Sequence, residues 1–129
     1  MGIVIRGIVV SGEHDAGPLV TLPWVKEQIS QKLGFQPYPG TLNLRLSKES
    51  QELLRNALSG VQVYAVEPTQ EGHARALCYK ILITKRLYGA LLFPQIPGRS
   101  EEIIEVISQS YLREALNLKD GDELIFEVF

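Results

Sequence analysis

Cysteine is nearly absent: Cys78 is the only one in 129 residues. No internal disulfide can form, and a reducing, cytoplasmic setting is expected. Cys78 lies in an apolar stretch and reads as a small core residue rather than a nucleophile. Histidine is scarce as well, and His14 and His73 stand too far apart for metal-ligand spacing. No apolar run approaches the length of a transmembrane helix, and the first residues lack the charged and apolar regions of a signal peptide. No membrane partner is therefore expected. An excess of one charge is also missing: 13 Lys and Arg face 15 Asp and Glu, a net charge of −2 with no basic tail. That weighs against nucleic acid as a partner, because phosphate backbones select clustered Lys and Arg. The chain contains no G-x-x-x-x-G-K-[ST], no G-x-G-x-x-G and no nucleophile elbow, which excludes a P-loop, a dinucleotide fingerprint and a hydrolase triad of that type.

What is present is a globular composition, 45% hydrophobic and 22% charged. The length suits one domain with one core. Residues 2–10, GIVIRGIVV, are rich in β-branched side chains and predict a strand. Residues 13–18 read as a loop. Thr21 then offers a cap for a helix with Pro23 in its first turn, with Trp24, Val25, Ile29 and Leu33 near one face and Gly34 as the stop. Residues 41–46, TLNLRL, alternate as a short strand, with Leu42, Leu44 and Leu46 on one side and Thr41, Asn43 and Arg45 on the other.

Ser47 predicts the cap of a second helix through Leu58, with Leu53, Leu54 and Leu58 inward and Gly60 as the stop. Strands are expected at 61–66, 74–84, 87–93 and 123–129. Residues 102–107, EIIEVI, suit a strand by β-branching or a helix by their acidic start. Residues 111–116 suit a short helix, and 119–122 a tight turn. The pattern, about six or seven short strands with two or three short helices, is mainly β and points to a closed barrel or sandwich.

Four stretches carry a more specific signal: Val9-Val10-Ser11-Gly12; KLGF at 32–35 running through PYPGTLNL at 37–44; EIIEVI at 102–107; and Leu112-Arg113-Glu114 followed by LKDGD at 118–122. In this order and spacing the chain resembles the archaeal CTP-dependent riboflavin kinases over essentially its whole length. The resemblance implies a single six-stranded cradle-loop β-barrel over residues 1–129, without the N-terminal helix-turn-helix domain that some members carry. It also implies transfer of the γ-phosphate of CTP to the 5′-hydroxyl of riboflavin, giving FMN and CDP with Mg²⁺. A monomer or small homo-oligomer is expected.

The resemblance also implies roles for individual residues. Thr41 and Asn43 match the metal-binding pair. Their spacing along a strand puts a hydroxyl and an amide oxygen on one face, and Mg²⁺ favours such hard oxygens. On spacing alone the plainer reading is the better one: Thr41 closes the turn after Gly40 and Asn43 caps a backbone amide. Glu105 matches a residue that contacts the flavin near the reacting hydroxyl, where a carboxylate could orient that group or accept its proton. The plainer reading is a solvated Glu on a strand.

Ser110, Tyr111, Leu112 and Arg113 match a nucleotide-contacting stretch, although an isolated Arg on a short helix is often only a surface residue. Gly12, Glu13, His14, Asp15, Ala16 and Gly17 correspond to the nucleotide loop, in which backbone amides approach phosphates. Members typically alternate glycines there. This chain keeps Gly12, shifts Gly17 by one and adds two acids. Pro97 stands where members place a flavin-bonding threonine, and Arg99 or Ser100 are the available substitutes. The alternatives are a non-catalytic flavin- or nucleotide-binding module and a barrel-type DNA-binding regulator.

Overall fold

The computed structural model describes residues 2–11 and 17–129. Seven strands and three helices follow in the order β1 (Ile3–Val10), α1 (Pro23–Leu33), β2 (Leu42–Arg45), α2 (Lys48–Leu58), β3 (Tyr64–Val66), β4 (Ala76–Ile83), β5 (Leu87–Pro94), β6 (Ile103–Ser108), α3 (Leu112–Ala115) and β7 (Glu123–Val128), with a 3-10 turn at Leu19–Thr21. The sheet runs β3-β4-β5-β6-β2-β1-β7, and β7 returns to pair with β4. Every pairing is antiparallel. Six strands thus close into a barrel, and β3 adds to the outside of β4. Closure leaves no open edge on the six, which removes the template for unwanted strand addition.

The period-two alternation of the strands builds two cores. Ile81 and Ile83 of β4, Leu91 and Phe93 of β5, Ile104 and Val106 of β6 and Leu42 and Leu44 of β2 fill the barrel together with Phe126 and Val128. The alternate side chains Cys78, Ala90, Leu92 and Ile107 face outward, where Val25, Ile29 and Leu33 of α1 cover them. Central strands are therefore buried on both faces, and β5 and β6 read as nearly continuous apolar runs for that reason. The same fact settles the ambiguous EIIEVI segment: β6 pairs with β5 on one side and β2 on the other.

Several local expectations are corrected. Thr21 does not cap α1. Its hydroxyl donates to Pro18 O inside the 3-10 turn, and Leu22 takes the N-cap position. Pro23 does open α1, and Gly34 ends it in the left-handed region at φ 84°. Ser47 caps α2 by accepting from Ser50 N at 3.1 Å, a contact worth about 1 kcal/mol. Leu53, however, is 44% exposed and only Leu54 of α2 is fully buried. The helix meets the barrel along a narrower stripe than three leucines suggest. Ser59, not Gly60, holds the C-cap, in right-handed geometry that needs no glycine. The strand expected over 61–66 shrinks to Tyr64–Val66, because only those residues have a partner on β4.

Candidate functional site

The alternation that fills the barrel also decides which polar groups meet outside it. Leu42 and Leu44 turn inward from β2, so Asn43 points out; Ile104 and Val106 turn inward from β6, so Glu105 points out. Asn43 and Glu105 are direct partners across the β2–β6 pair, so their side chains are nearest neighbours on one face. They are 2% and 7% exposed, two of the few polar side chains so deeply placed. Thr41, one residue before β2, donates its hydroxyl to Glu105 Oε1 at 2.7 Å. Loop, strand and neighbouring strand thus deliver three oxygen-bearing groups to one spot.

Asn43 Oδ1 is buried and accepts no hydrogen bond from the described residues. An unmet buried acceptor costs about 1–3 kcal/mol, and native structures keep few of them without a ligand or ion to explain them. The Thr41 hydroxyl, which donates its hydrogen bond to Glu105, still has lone pairs on its oxygen. A hydroxyl and an amide oxygen in this state fit a hard divalent cation. Among the described residues no cluster of three or more His, Cys, Asp or Glu could hold a metal unaided. A cation bound here would therefore take further oxygens from a substrate or water.

Two cavities meet at this cluster. One, about 320 Å³, is lined by Ser11, Tyr38, Thr41, Asn43, Tyr111 and Arg113, among others. The second, about 260 Å³, is lined by Asn43, Leu92, Gly98, Arg99, Ser100 and Glu105, with Ile103 completing it. Asn43 is the residue common to both. Tyr38 and Tyr111 stack at the first cavity, with ring centroids 4.8 Å apart and planes 13° apart. Buried Ser108 ties their two loops together: its carbonyl accepts from Tyr38 N at 2.8 Å and its hydroxyl accepts from Ser110 N at 3.2 Å.

At the far wall, Arg113 Nη2 donates to Asp120 Oδ1 at 2.8 Å and to Ser11 Oγ at 3.2 Å. Ser11 itself donates to Asp120 at 2.8 Å. The Ser11 hydroxyl first, and the Arg113 guanidinium next, hold the Asp120 carboxyl below its ordinary value of 3.8.

A model of the CTP-dep_RFKase family, described as domain of unknown function DUF120, matches residues 9–128. The chain belongs to this family. It is 38% identical over 130 residues to a riboflavin kinase of Archaeoglobus fulgidus, covering 98% of this chain and 54% of the relative. It is 35% identical to a riboflavin kinase of Saccharolobus solfataricus, covering 98% and 74%, and 33% identical to one of Methanosarcina barkeri, covering 96% and 56%. The chain spans about half to three quarters of the length of these three relatives.

The structure brings together Thr41, Asn43 and Glu105, and places Ser110, Tyr111, Leu112 and Arg113 on the wall of the first cavity. Leu112 is only 4% exposed, and its side chain packs with the barrel interior. Arg113 is already engaged with Asp120 and Ser11, and so braces the end of β1. Gly17 lies in a turn; Gly12, Glu13, His14, Asp15 and Ala16 lie outside the described residues. Pro97 is exposed and is not on the wall beside Glu105, where Gly98, Arg99 and Ser100 stand instead. The sequence reading missed Tyr38 and Ser108. Tyr38 stands inside the PYPGTLNL stretch that carries the resemblance but was given no role there, and Ser108 ends a strand where a hydroxyl is unremarked. No helix among the described residues is long and apolar enough to cross a membrane.

Proposed function

We propose that this chain is a riboflavin kinase that transfers the γ-phosphate of CTP to the 5′-hydroxyl of riboflavin. The single observation that carries the reading is the Thr41–Asn43–Glu105 cluster at the junction of two cavities. Phosphoryl transfer needs a donor and an acceptor on opposite sides of one phosphorus, with positioning and charge stabilisation supplied between them. The cavity of Ser11, Tyr38, Tyr111 and Arg113 suits the nucleotide, and the Tyr38–Tyr111 stack gives a base an aromatic face. The cavity that holds Glu105 suits the acceptor.

In this reading Glu105, with one carboxylate oxygen held by Thr41, orients the acceptor hydroxyl and takes its proton. The acceptor oxygen bonds to the γ-phosphorus, the bond from that phosphorus to the β–γ bridging oxygen breaks, and CDP leaves. Asn43 Oδ1 and the Thr41 oxygen would hold Mg²⁺, whose contribution when bound is to neutralise the triphosphate charge. The names of the relatives support the activity, and the name of the family supports CTP as donor.

The test incubates the protein with riboflavin, Mg²⁺ and each of the four nucleoside triphosphates and measures FMN by chromatography. FMN should appear, fastest with CTP, and removal of Mg²⁺ with a chelator should abolish it. Riboflavin binding without FMN from any nucleotide would reduce the chain to a binding module.

A further inference from the structure

We infer that Ser108 is a positioning residue for the nucleotide: its hydroxyl holds Tyr111 in the stack with Tyr38 that offers the base an aromatic face; this rests on the kinase reading above. Ser108 lies outside the four sequence stretches that carry the resemblance. Its place in the fold gives it the role. Ser108 is the last residue of β6 and pairs with Gly89 at the end of the β5–β6 ladder. Beyond it the chain leaves the sheet, and the amide of Ser110 has no ladder partner. The Ser108 hydroxyl supplies one, accepting from Ser110 N at 3.2 Å. A serine oxygen that accepts from the amide two residues on closes a turn much as a backbone carbonyl would. The same hydroxyl donates to Tyr88 O on β5 at 3.4 Å, a long bond that ties the turn to the barrel wall.

The turn matters because neither ring is held by burial. Tyr38 is 38% and Tyr111 45% exposed, yet the two planes are nearly parallel. Exposed side chains keep a working geometry when hydrogen bonds fix the backbone beneath them. The Ser108 carbonyl, accepting from Tyr38 N, fixes one ring's backbone. Tyr111 is suspended between two anchors: buried Leu112 follows it, and the Ser108–Ser110 bond precedes it. Ser108 itself is 3% exposed and, with both tyrosines, lines the cavity that suits the nucleotide. An aromatic face already in place spares the base the cost of ordering it on binding. Ser110 is half-buried, so water can replace the lost acceptor. Loss of the hydroxyl therefore weakens the preformed face far more than it weakens the fold.

The experiment is a double-mutant cycle of Ser108→Ala and Tyr111→Ala, read by calorimetric titration with CDP and by steady-state FMN formation. Ser108→Ala should raise the Kd for CDP and the KM for CTP about fivefold, with kcat and the riboflavin KM within about twofold and the melting temperature nearly unchanged. In the Tyr111→Ala background the same substitution should change neither nucleotide constant, because the ring it positions is gone. An equal loss in both backgrounds, or a Ser108→Ala chain that no longer folds, would make Ser108 a support of the barrel and overturn the assignment. An unchanged Kd for CDP overturns it as well. If wild type binds CDP but makes no FMN from any nucleotide, the kinase reading fails while the CDP cycle alone still decides on Ser108. Wild type that binds no CDP overturns both.

Discussion

At the scale of single residues, the site depends on polar groups left partly unsatisfied. Asn43 Oδ1 has no partner among the described residues, so Asn43→Ala removes no hydrogen bond at that oxygen and should leave the melting temperature unchanged or slightly raised. FMN formation by the same variant should fall at least a hundredfold. A variant that unfolds would instead place Asn43 among the fold's supports. Glu105→Gln keeps the shape of the group and removes its charge. Its kcat should fall on the order of 10²-fold or more with little change in riboflavin affinity, and stopped assays of initial rate would show the split.

Asp120 gives a pH signature. Its folded pKa is depressed, so the clasp to Ser11 and Arg113 contributes stability at pH above the ordinary value of 3.8 and loses it as pH falls through the lower folded value. NMR titration of the Asp120 carboxyl should show its midpoint returning toward 3.8 in both Ser11→Ala and Arg113→Ala, because the Ser11 hydroxyl first and the Arg113 guanidinium next hold it down.

At the scale of elements, close approach of backbone explains one glycine that the composition of β5 does not. A Cβ on Gly89 would lie 2.5 Å from Ile107 O on β6 and 2.8 Å from Ile83 Cδ1 on β4. A backbone oxygen cannot swing aside as a flexible side chain can. Gly89→Ala should therefore destabilise by about 1–3 kcal/mol, read as a lower denaturant midpoint at unchanged slope. Element type was largely legible where periodicity was long: residues 2–10, the capped α2 and the last strand all formed. Boundaries were not. Thr21 looked like a cap, but the 3-10 turn claimed its hydroxyl. Leu53 looked inward, but α2 touches the barrel along a single stripe centred on Leu54.

At the scale of the whole molecule, closure through β4–β7 and the α1 layer enclose Cys78. Burial pushes its thiol up to about 12, opposed only by the Lys32 charge. A thiolate is the reactive form, so the native protein should resist thiol reagents at pH 8, with labelling limited by the rate of global unfolding. Labelling within seconds would mean that α1 peels from the barrel by itself.

The amino-acid sequence alone determined the β-rich class, the capped α2 and the leucine alternation of β2, because each is written in local spacing, while the Thr41, Asn43 and Glu105 candidates came from the family resemblance of the motifs around them. Only the tertiary structure decided that Asn43 faces Glu105, that Thr41 bonds it, and that Arg99 rather than Pro97 stands beside it. The first two contacts join residues some 60 positions apart through the register of β2 against β6. Such a register is set by barrel closure and by which face each strand must bury, and no local window of residues contains that information.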